Sequence, residues 1–293
     1  MDGFLIVDKP SGVTSHDVVA FARRRLKMRK IGHAGTLDPL ATGILVLGIG
    51  AGTRLLEYLI GCEKEYEAQL TFGATSETCD ADGTILENLN AQSFLQEELQ
   101  EILPEFIGEI EQVPPQFSAI KINGKPAYAR ARAGEKIKMK SRKIRIFSNE
   151  ITNFVYPQVE LKISCGSGTY IRSLARDLGE RIGGGAYLSK LRRTQVGRFS
   201  MNRAIPLKNI HAENLLPLEA GVIFPQLNLT RIEAEKIRIG QKIFARANEK
   251  VAGFSNEKLL AILEIEPQKR LLKPEKVFIK TTEFTARKIS SCS

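Results

Sequence analysis

At 293 residues the chain can hold one large core plus a smaller unit, and its 43% hydrophobic, 26% charged composition is that of a folded protein, not a disordered one. No apolar run approaches the ~20 residues of a membrane span, and no basic leader precedes the first apolar stretch, so neither a membrane nor a secreted protein is expected. Four scattered cysteines (Cys62, Cys79, Cys165, Cys292) without ligand spacing argue for a reduced, cytoplasmic setting and against a structural zinc site, while the net charge of +10 predicts a polyanionic partner.

In chain order, Ser15 is expected to cap a helix to about Lys27, with Val18, Val19, Ala22 and Leu26 on one face. The segment Gly32-His-Ala-Gly-Thr-Leu-Asp-Pro-Leu-Ala-Thr-Gly43 follows. Its glycines imply tight backbone and Pro39 pushes Asp38 toward an extended conformation, which sets a carboxylate on a stiff loop. An Asp-Pro turn in which Asp38 bonds its own backbone is the plainer reading of the same residues. Ile44 to Ile49 reads as a buried strand, and Tyr66 to Phe72 alternates like a half-buried strand of an antiparallel sheet. Gly48-Ile-Gly50-Ala-Gly52-Thr imitates a dinucleotide fingerprint but lacks the third small position, and Asp80-Ala-Asp82-Gly imitates a calcium loop but lacks its later ligands. The second is expected to be a plain loop.

Two charge runs come next. Glu97 to Glu111 holds six glutamates and no basic residue. Ser118 to Asn149 holds ten basic residues, including Lys136, Lys138, Lys140, Arg142 and Lys143, against the single acid Glu135. Such a run is either a solvated face or a phosphate-binding surface, and its density favours the second. Val159 to Cys165 alternates as a strand, and Thr169 to Ile182 has helical spacing in Ile171, Leu174, Ala175, Leu178 and Ile182. Arg172 falls in the first turn of that helix, where a cation opposes the macrodipole by roughly 0.3–1 kcal/mol. Its neighbours three and four positions away (Gly168, Thr169, Ala175, Arg176) include no carboxylate, so its partner should lie elsewhere. Gly183-Gly-Gly breaks the chain before a strand near Thr194 to Phe199, and beyond Val222 short apolar pieces suggest a small β-rich domain of about 70 residues.

The Gly32–Gly43 segment resembles the signature of the TruB family of bacterial tRNA pseudouridine-55 synthases. Four further blocks resemble that family in the same order: Asp8-Lys-Pro-Ser-Gly-Val-Thr-Ser15, Lys64-Glu-Tyr66, Gly168-Thr-Tyr-Ile-Arg-Ser-Leu174 and Gly185-Ala-Tyr-Leu-Ser-Lys-Leu-Arg-Arg193. The resemblance implies an α+β pseudouridine synthase core on a mainly antiparallel mixed sheet with flanking helices, spanning 1–222. It also implies a basic RNA-clamping insertion at about 117–150 and a small PUA-like RNA-binding domain at 223–293. It makes Asp38 the catalytic carboxylate, paired with Arg172, and sets Tyr66 against the target base as a candidate for moving the C5 proton. His33, Leu191, Lys9 and Tyr170 are the implied substrate contacts, and Lys138, Lys140, Arg142 and Lys143 the implied backbone contacts.

The implied reaction isomerises uridine 55 in the tRNA T-arm: the N1–C1′ bond breaks, the uracil turns over, and C5 joins C1′. Only a proton moves, so neither a cofactor nor a metal is expected. Asp38 either attacks C1′ or abstracts the 2′ proton. The uridine has to be flipped out of its stack, at a cost of a few kcal/mol. The expected protein is a monomer that needs no protein partner. Two rivals are a guide-RNA-dependent relative and a non-catalytic tRNA-binding chaperone, for which Asp38 would be dispensable.

Overall fold

The computed structural model describes residues 1–278 apart from 119, 123 and 136; Lys136 of the basic run and Cys292 lie outside the described residues. Strand β1 (Gly3–Lys9) leads to helix α1 (Ser15–Arg25), β2 (Ile31–His33), β3 (Thr42–Ile49), the short α2 (Leu56–Ile60) and β4 (Lys64–Phe72). A hairpin of β5 (Ala74–Ser76) and β6 (Ile85–Glu87) precedes α3 (Gln96–Ile102) and β7 (Gly108–Gln112). A small hairpin, β8 (Lys121–Ile122) and β9 (Lys125–Pro126), and α4 (Ala127–Arg132) open the basic segment. The core resumes with β10 (Arg142–Val155), β11 (Gln158–Cys165), α5 (Ile171–Ile182) and β12 (Ala186–Val196), closed by β13 (Phe199–Ser200) and β14 (Ile205–Pro206).

The main sheet has ten strands in the order β14-β1-β3-β12-β4-β11-β10-β7, with β13 on β12 and β2 on β3. Its pairs are antiparallel except β1–β14 and β12–β3. The expected α+β core on a mainly antiparallel mixed sheet is therefore present. Alternation puts Leu5, Val7, Leu45 and Leu47 against the apolar stripe Val18, Val19, Ala22 of α1. On the opposite face lie Phe4, Ile6, Ile44 and Val46. Further along the sheet, Leu70, Phe72, Val159 and Leu161 pack against Leu174 and Leu178 of α5.

A second sheet belongs wholly to the C-terminal part: β15 (Gln226–Asn228), β16 (Ile243–Phe244), β17 (Val251–Ser255), β18 (Lys258–Glu266) and β19 (Leu271–Val277), with helix α6 (Arg231–Arg238). This is the β-rich C-terminal unit. Ala252, Phe254, Leu259 and Ile262 share one apolar cluster with Phe4, Leu56 and Leu59, so the two units meet across packed side chains. No helix among the described residues is long and apolar enough to cross a membrane.

Three local expectations change. Thr14, not Ser15, caps α1: its hydroxyl accepts from Asp17 N at 3.0 Å while the Asp17 carboxylate accepts from Thr14 N at 2.9 Å. The strand expected at Thr194 to Phe199 starts eight residues earlier, at Ala186. Two register irregularities, at Leu188/Lys190 and Arg193/Gln195, break the period-two pattern that would have marked it. Finally, the basic segment is not wholly an insertion, since from Arg142 onward it is a 14-residue strand of the main sheet.

Candidate active site

The Gly32–Gly43 loop runs from β2 to β3 and is held at almost every residue. Gly43 adopts φ +96°, and a Cβ there would fall 2.2 Å from the Arg193 carbonyl oxygen, so only glycine lets β12 lie against β3 at this point. The Asp8–Ser15 motif wraps the other side. Ser15 Oγ accepts from Leu37 N at 2.8 Å and donates to Leu37 O at 3.1 Å. Ser11 Oγ donates to Leu40 O at 3.1 Å, and Gly12 N donates to Pro39 O at 2.9 Å. Lys9, with no exposed surface, donates Nζ to Pro10 O, Val13 O and Pro39 O at 2.9, 2.7 and 3.2 Å. These three bonds use all three of its donors. The substrate contact implied for Lys9 is therefore corrected: it braces the loop. Burial lowers its pKa to about 8, partly opposed by the Asp38 charge.

On this loop Asp38 meets Arg172. The Arg172 Nε lies 2.9 Å from Asp38 Oδ2, though its N–H is not aimed at the oxygen, so charge attraction joins them more than a well-directed hydrogen bond does. Asp38 remains 36% exposed and opens to solvent on one side, whereas the Arg172 side chain is 5% exposed. The guanidinium also donates to Thr78 O at 3.1 Å and Phe117 O at 3.0 Å, and its Nη1 lies 3.4 Å from Asp80 Oδ2. One buried cation thus ties together the Asp38 loop, the loop after β5 and the start of the basic segment. Crowding by protein raises the Asp38 carboxyl above its ordinary value; Arg172 opposes this, and Asp80 and Asp82 add to it.

Asp80 is one of two residues whose place in the site sequence reasoning missed. Its Oδ1 accepts from Thr78 Oγ1 and from Asp82 N, fixing its Oδ2 toward Arg172. The Asp80-Ala-Asp82-Gly pattern signalled a loop and no more. A buried acid facing Arg172 is a long-range fact that no local spacing encodes.

Tyr66 and Leu191 complete the site. They occupy the same face of neighbouring strands and share an apolar cluster with Leu37 and Ala41 of the loop. Both are nearly buried, and burial raises the Tyr66 phenol above its ordinary value, with Arg193 opposing. Arg193, 1% exposed, donates Nε to Ile44 O at 2.8 Å, Nη2 to Gly35 O at 3.1 Å and Nη1 to Thr36 O at 3.4 Å. The resembling motif ends on Arg193, but nothing in it announced this role.

His33, on β2, is half-buried with Nδ1 unpartnered, and burial and the Arg193 charge lower its pKa, favouring the neutral ring. Tyr170 precedes α5; its N–H donates to Gln112 Oε1 at 2.9 Å, and Arg142 lies 4.6 Å over its ring while bonding Gly168 O. Lys143 pairs with Glu109 at 2.9 Å. Of the four implied backbone contacts, Lys138 and Lys140 are exposed and in no ion pair among the described residues. Gly50–Arg54 is a 3-10 turn after an antiparallel strand, and no group of three or more His, Cys, Asp or Glu among the described residues is arranged to hold a metal ion.

Comparison with known proteins follows the same lines. The TruB family pseudouridylate synthase (N terminal domain) model matches residues 23–171, and the tRNA pseudouridylate synthase B C-terminal domain model matches 172–220. The chain is 45% identical over 253 residues to tRNA pseudouridine synthase B of Thermobifida fusca (strain YX), covering 83% of this chain and 86% of the relative. It is 42% identical over 277 residues to tRNA pseudouridine synthase B of Mycobacterium sp. (strain KMS), covering 91% and 93%. Among solved structures, a chain of the Cbf5-Nop10-Gar1 complex superposes with a TM-score of 0.74 at 24% identity, over 96% of this chain and 86% of that one, which is likeness of fold.

Proposed function

The chain belongs to the TruB family of pseudouridylate synthases, and on that premise we propose that it isomerises uridine 55 in the T-arm of tRNA to pseudouridine after flipping the base out of its stack. The observation that carries the reading is the Asp38–Arg172 pair. A carboxylate open to solvent on one side, held by a braced loop and opposed by a buried guanidinium, stands beside the apolar patch of Leu37, Tyr66 and Leu191. Uracil is a flat, weakly polar ring that such a patch would grip while C1′ faces the carboxylate. Asp38 then acts at the sugar, by attack on C1′ or removal of the 2′ proton, and Tyr66 lies against the base.

Around the site, His33 takes the stacking position left by the extruded base, and Tyr170 with Arg142 lines the entrance. Lys138 and Lys140 face the phosphates, and the β-rich C-terminal unit is a PUA-like module for the rest of the tRNA. Excluding water protects the electrophilic C1′ from hydrolysis.

Tritium release from a T-arm hairpin carrying C5-tritiated uridine tests this. Purified protein should release tritium without a guide RNA, and Asp38→Asn should lose about 10³-fold or more, roughly 4 kcal/mol of barrier, while hairpin affinity persists. Binding without release in the unsubstituted protein would favour an RNA chaperone, and dependence on a guide RNA would favour the guided class.

A further inference from the structure

A cavity of about 470 Å³ opens where β1 ends, between α1 and β14 and beside β3 and β12. That size lies within the roughly 300–1,000 Å³ of small-molecule sites. It is not the Asp38 pocket. Arg192, which lines it, sits on β12 between Leu191, which packs with Leu37, and Arg193, which bonds Gly35 O. Strand alternation therefore sends Arg192 to the opposite face of the sheet from the two residues that serve the Asp38 loop. Asp8 is related in the same way to Lys9, whose ammonium is spent on the loop.

Arg192 Nη2 donates to Asp8 Oδ2 at 2.9 Å, and Nη1 donates to Thr42 Oγ1 at 3.3 Å. The Arg192 and Asp8 side chains are 37% and 32% exposed, and an ion pair so open to water adds little to stability. It also leaves bonding capacity unspent. Asp8 Oδ1 and the Arg192 Nε–H have no hydrogen-bond partner among the described residues. An acceptor and a donor of opposite charge thus stand side by side at the cavity. Phe21, Pro10 and Pro206 line it with apolar surface. Lys208 lines it too, exposed and in no ion pair among the described residues.

This combination is selective. A small anion would meet the Asp8 charge, a small cation would meet Arg192, and a wholly apolar ligand would strand both. A nucleobase meets all the requirements, because it presents donors and acceptors side by side on one edge and flat apolar faces on either side. The cation at Lys208 adds a place for a phosphate. We propose that this cavity is a nucleotide site separate from the Asp38 pocket. The base edge lies on Asp8 and Arg192, the ring against Phe21 and the two prolines, and the phosphate at Lys208. An unpaired nucleotide of a bound tRNA and a free mononucleotide offer the same chemistry to these residues.

Saturation-transfer NMR with 5′-AMP and the full chain tests the site. Adenine protons should receive saturation. Arg192→Gln should weaken AMP by about 10-fold or more, as the loss of a charged hydrogen bond implies. Lys208→Ala, on an exposed side chain, should weaken AMP by about 3-fold and flatten its salt dependence. It should leave adenosine, which has no phosphate, unaffected. No transfer, or the same AMP affinity in the parent and both variants, overturns the proposal; should Arg192→Gln fail to fold, Lys208→Ala decides alone. A T-arm hairpin should leave AMP bound, and displacement by it would put AMP in the Asp38 pocket and overturn the second site. Displacement by full-length tRNA alone would identify the RNA as the source of the nucleotide, and retention would identify a free mononucleotide. None of these readouts uses turnover, so their failure leaves the isomerisation reading standing.

Discussion

Ser15 and Leu37 exchange two hydrogen bonds through one hydroxyl, 2.8 Å from Leu37 N and 3.1 Å to Leu37 O, at a point one residue from Asp38 and 22 residues away in sequence. Both groups are buried, so the first turn of α1 fixes the backbone that carries the carboxylate. The capping duty belongs to Thr14, which frees Ser15 for this contact.

Ser15→Ala should therefore cost activity more than binding. Two buried backbone groups lose their partner, about 1–3 kcal/mol of stability. A displaced carboxylate lowers turnover by ~10–100-fold, because about 1 Å of misplacement at a reacting centre has effects of that order. Single-turnover rate and hairpin affinity measured together check it; an equal loss in both would mean that Ser15 supports the whole domain and not the loop.

The basic segment divides into spent and unspent charges. Lys143 is paired with Glu109, and Arg142 lies on Tyr170, whereas Lys138 and Lys140 are exposed without an ion-pair partner among the described residues. Lys138→Ala with Lys140→Ala should reduce the slope of log affinity against log salt by about 1–2, as each phosphate contact contributes just under one. Lys143→Ala should change that slope less, since Glu109 already neutralises it. A larger effect from Lys143 would show that RNA displaces the ion pair.

How much of this was legible follows from the range of each interaction. The strands at Tyr66 and Val159 and the helix at Ile171 write their burial in local periodicity, and the glycine-braced loop writes its strain in composition. Asp38, Tyr66 and Leu191 stand out through motif resemblance, and a missing local partner pointed Arg172 elsewhere. Asp80 and Arg193 stayed hidden because their meaning lies in contacts across 92 and 149 residues or more. Lys9 was assigned to the substrate through its place in a resembling motif, yet the fold turns it in toward three carbonyls. The bulges of β12 erased the alternation that would have revealed the strand.

Lys9 gives the site an alkaline limit. Its pKa is lowered to about 8, so above that pH the ammonium becomes an amine with one donor fewer than the three carbonyls it serves. Turnover should fall with a midpoint near that pKa, and Lys9→Arg, which stays charged, should remove this limb if it folds. Stability runs the other way. A lysine whose pKa is lowered on folding is charged at a cost below its folded value, so the unfolded chain binds the extra proton between about 8 and 10.5 and stability rises across that window. The denaturant midpoint of the parent should rise relative to that of Lys9→Met as pH goes from 8 to 10.5, whichever is the more stable at pH 8; parallel curves would mean that Lys9 does not titrate there.

The acid limit belongs to Asp38 and its neighbours. Its carboxyl is raised by burial, lowered by Arg172 and raised again by Asp80 and Asp82, so the acid limb of kcat/KM should lie above that of an ordinary carboxylate. Asp80→Asn removes one of the charges that raise it while keeping the side chain's shape. The limb should then move to lower pH, even as the maximal rate drops by ~10-fold or more because Arg172 loses one of its two carboxylates. Arg172→Lys should act in the other direction. A point charge on a flexible stem cannot hold Asp38 while donating to Thr78 O and Phe117 O, so the limb moves up and the rate falls further. Opposite movements of the limb in the two variants identify Asp38 as the titrating group between them. Movement in the same direction, or none, would assign the acid limb to another residue and leave Asp80 as a scaffold for its own loop.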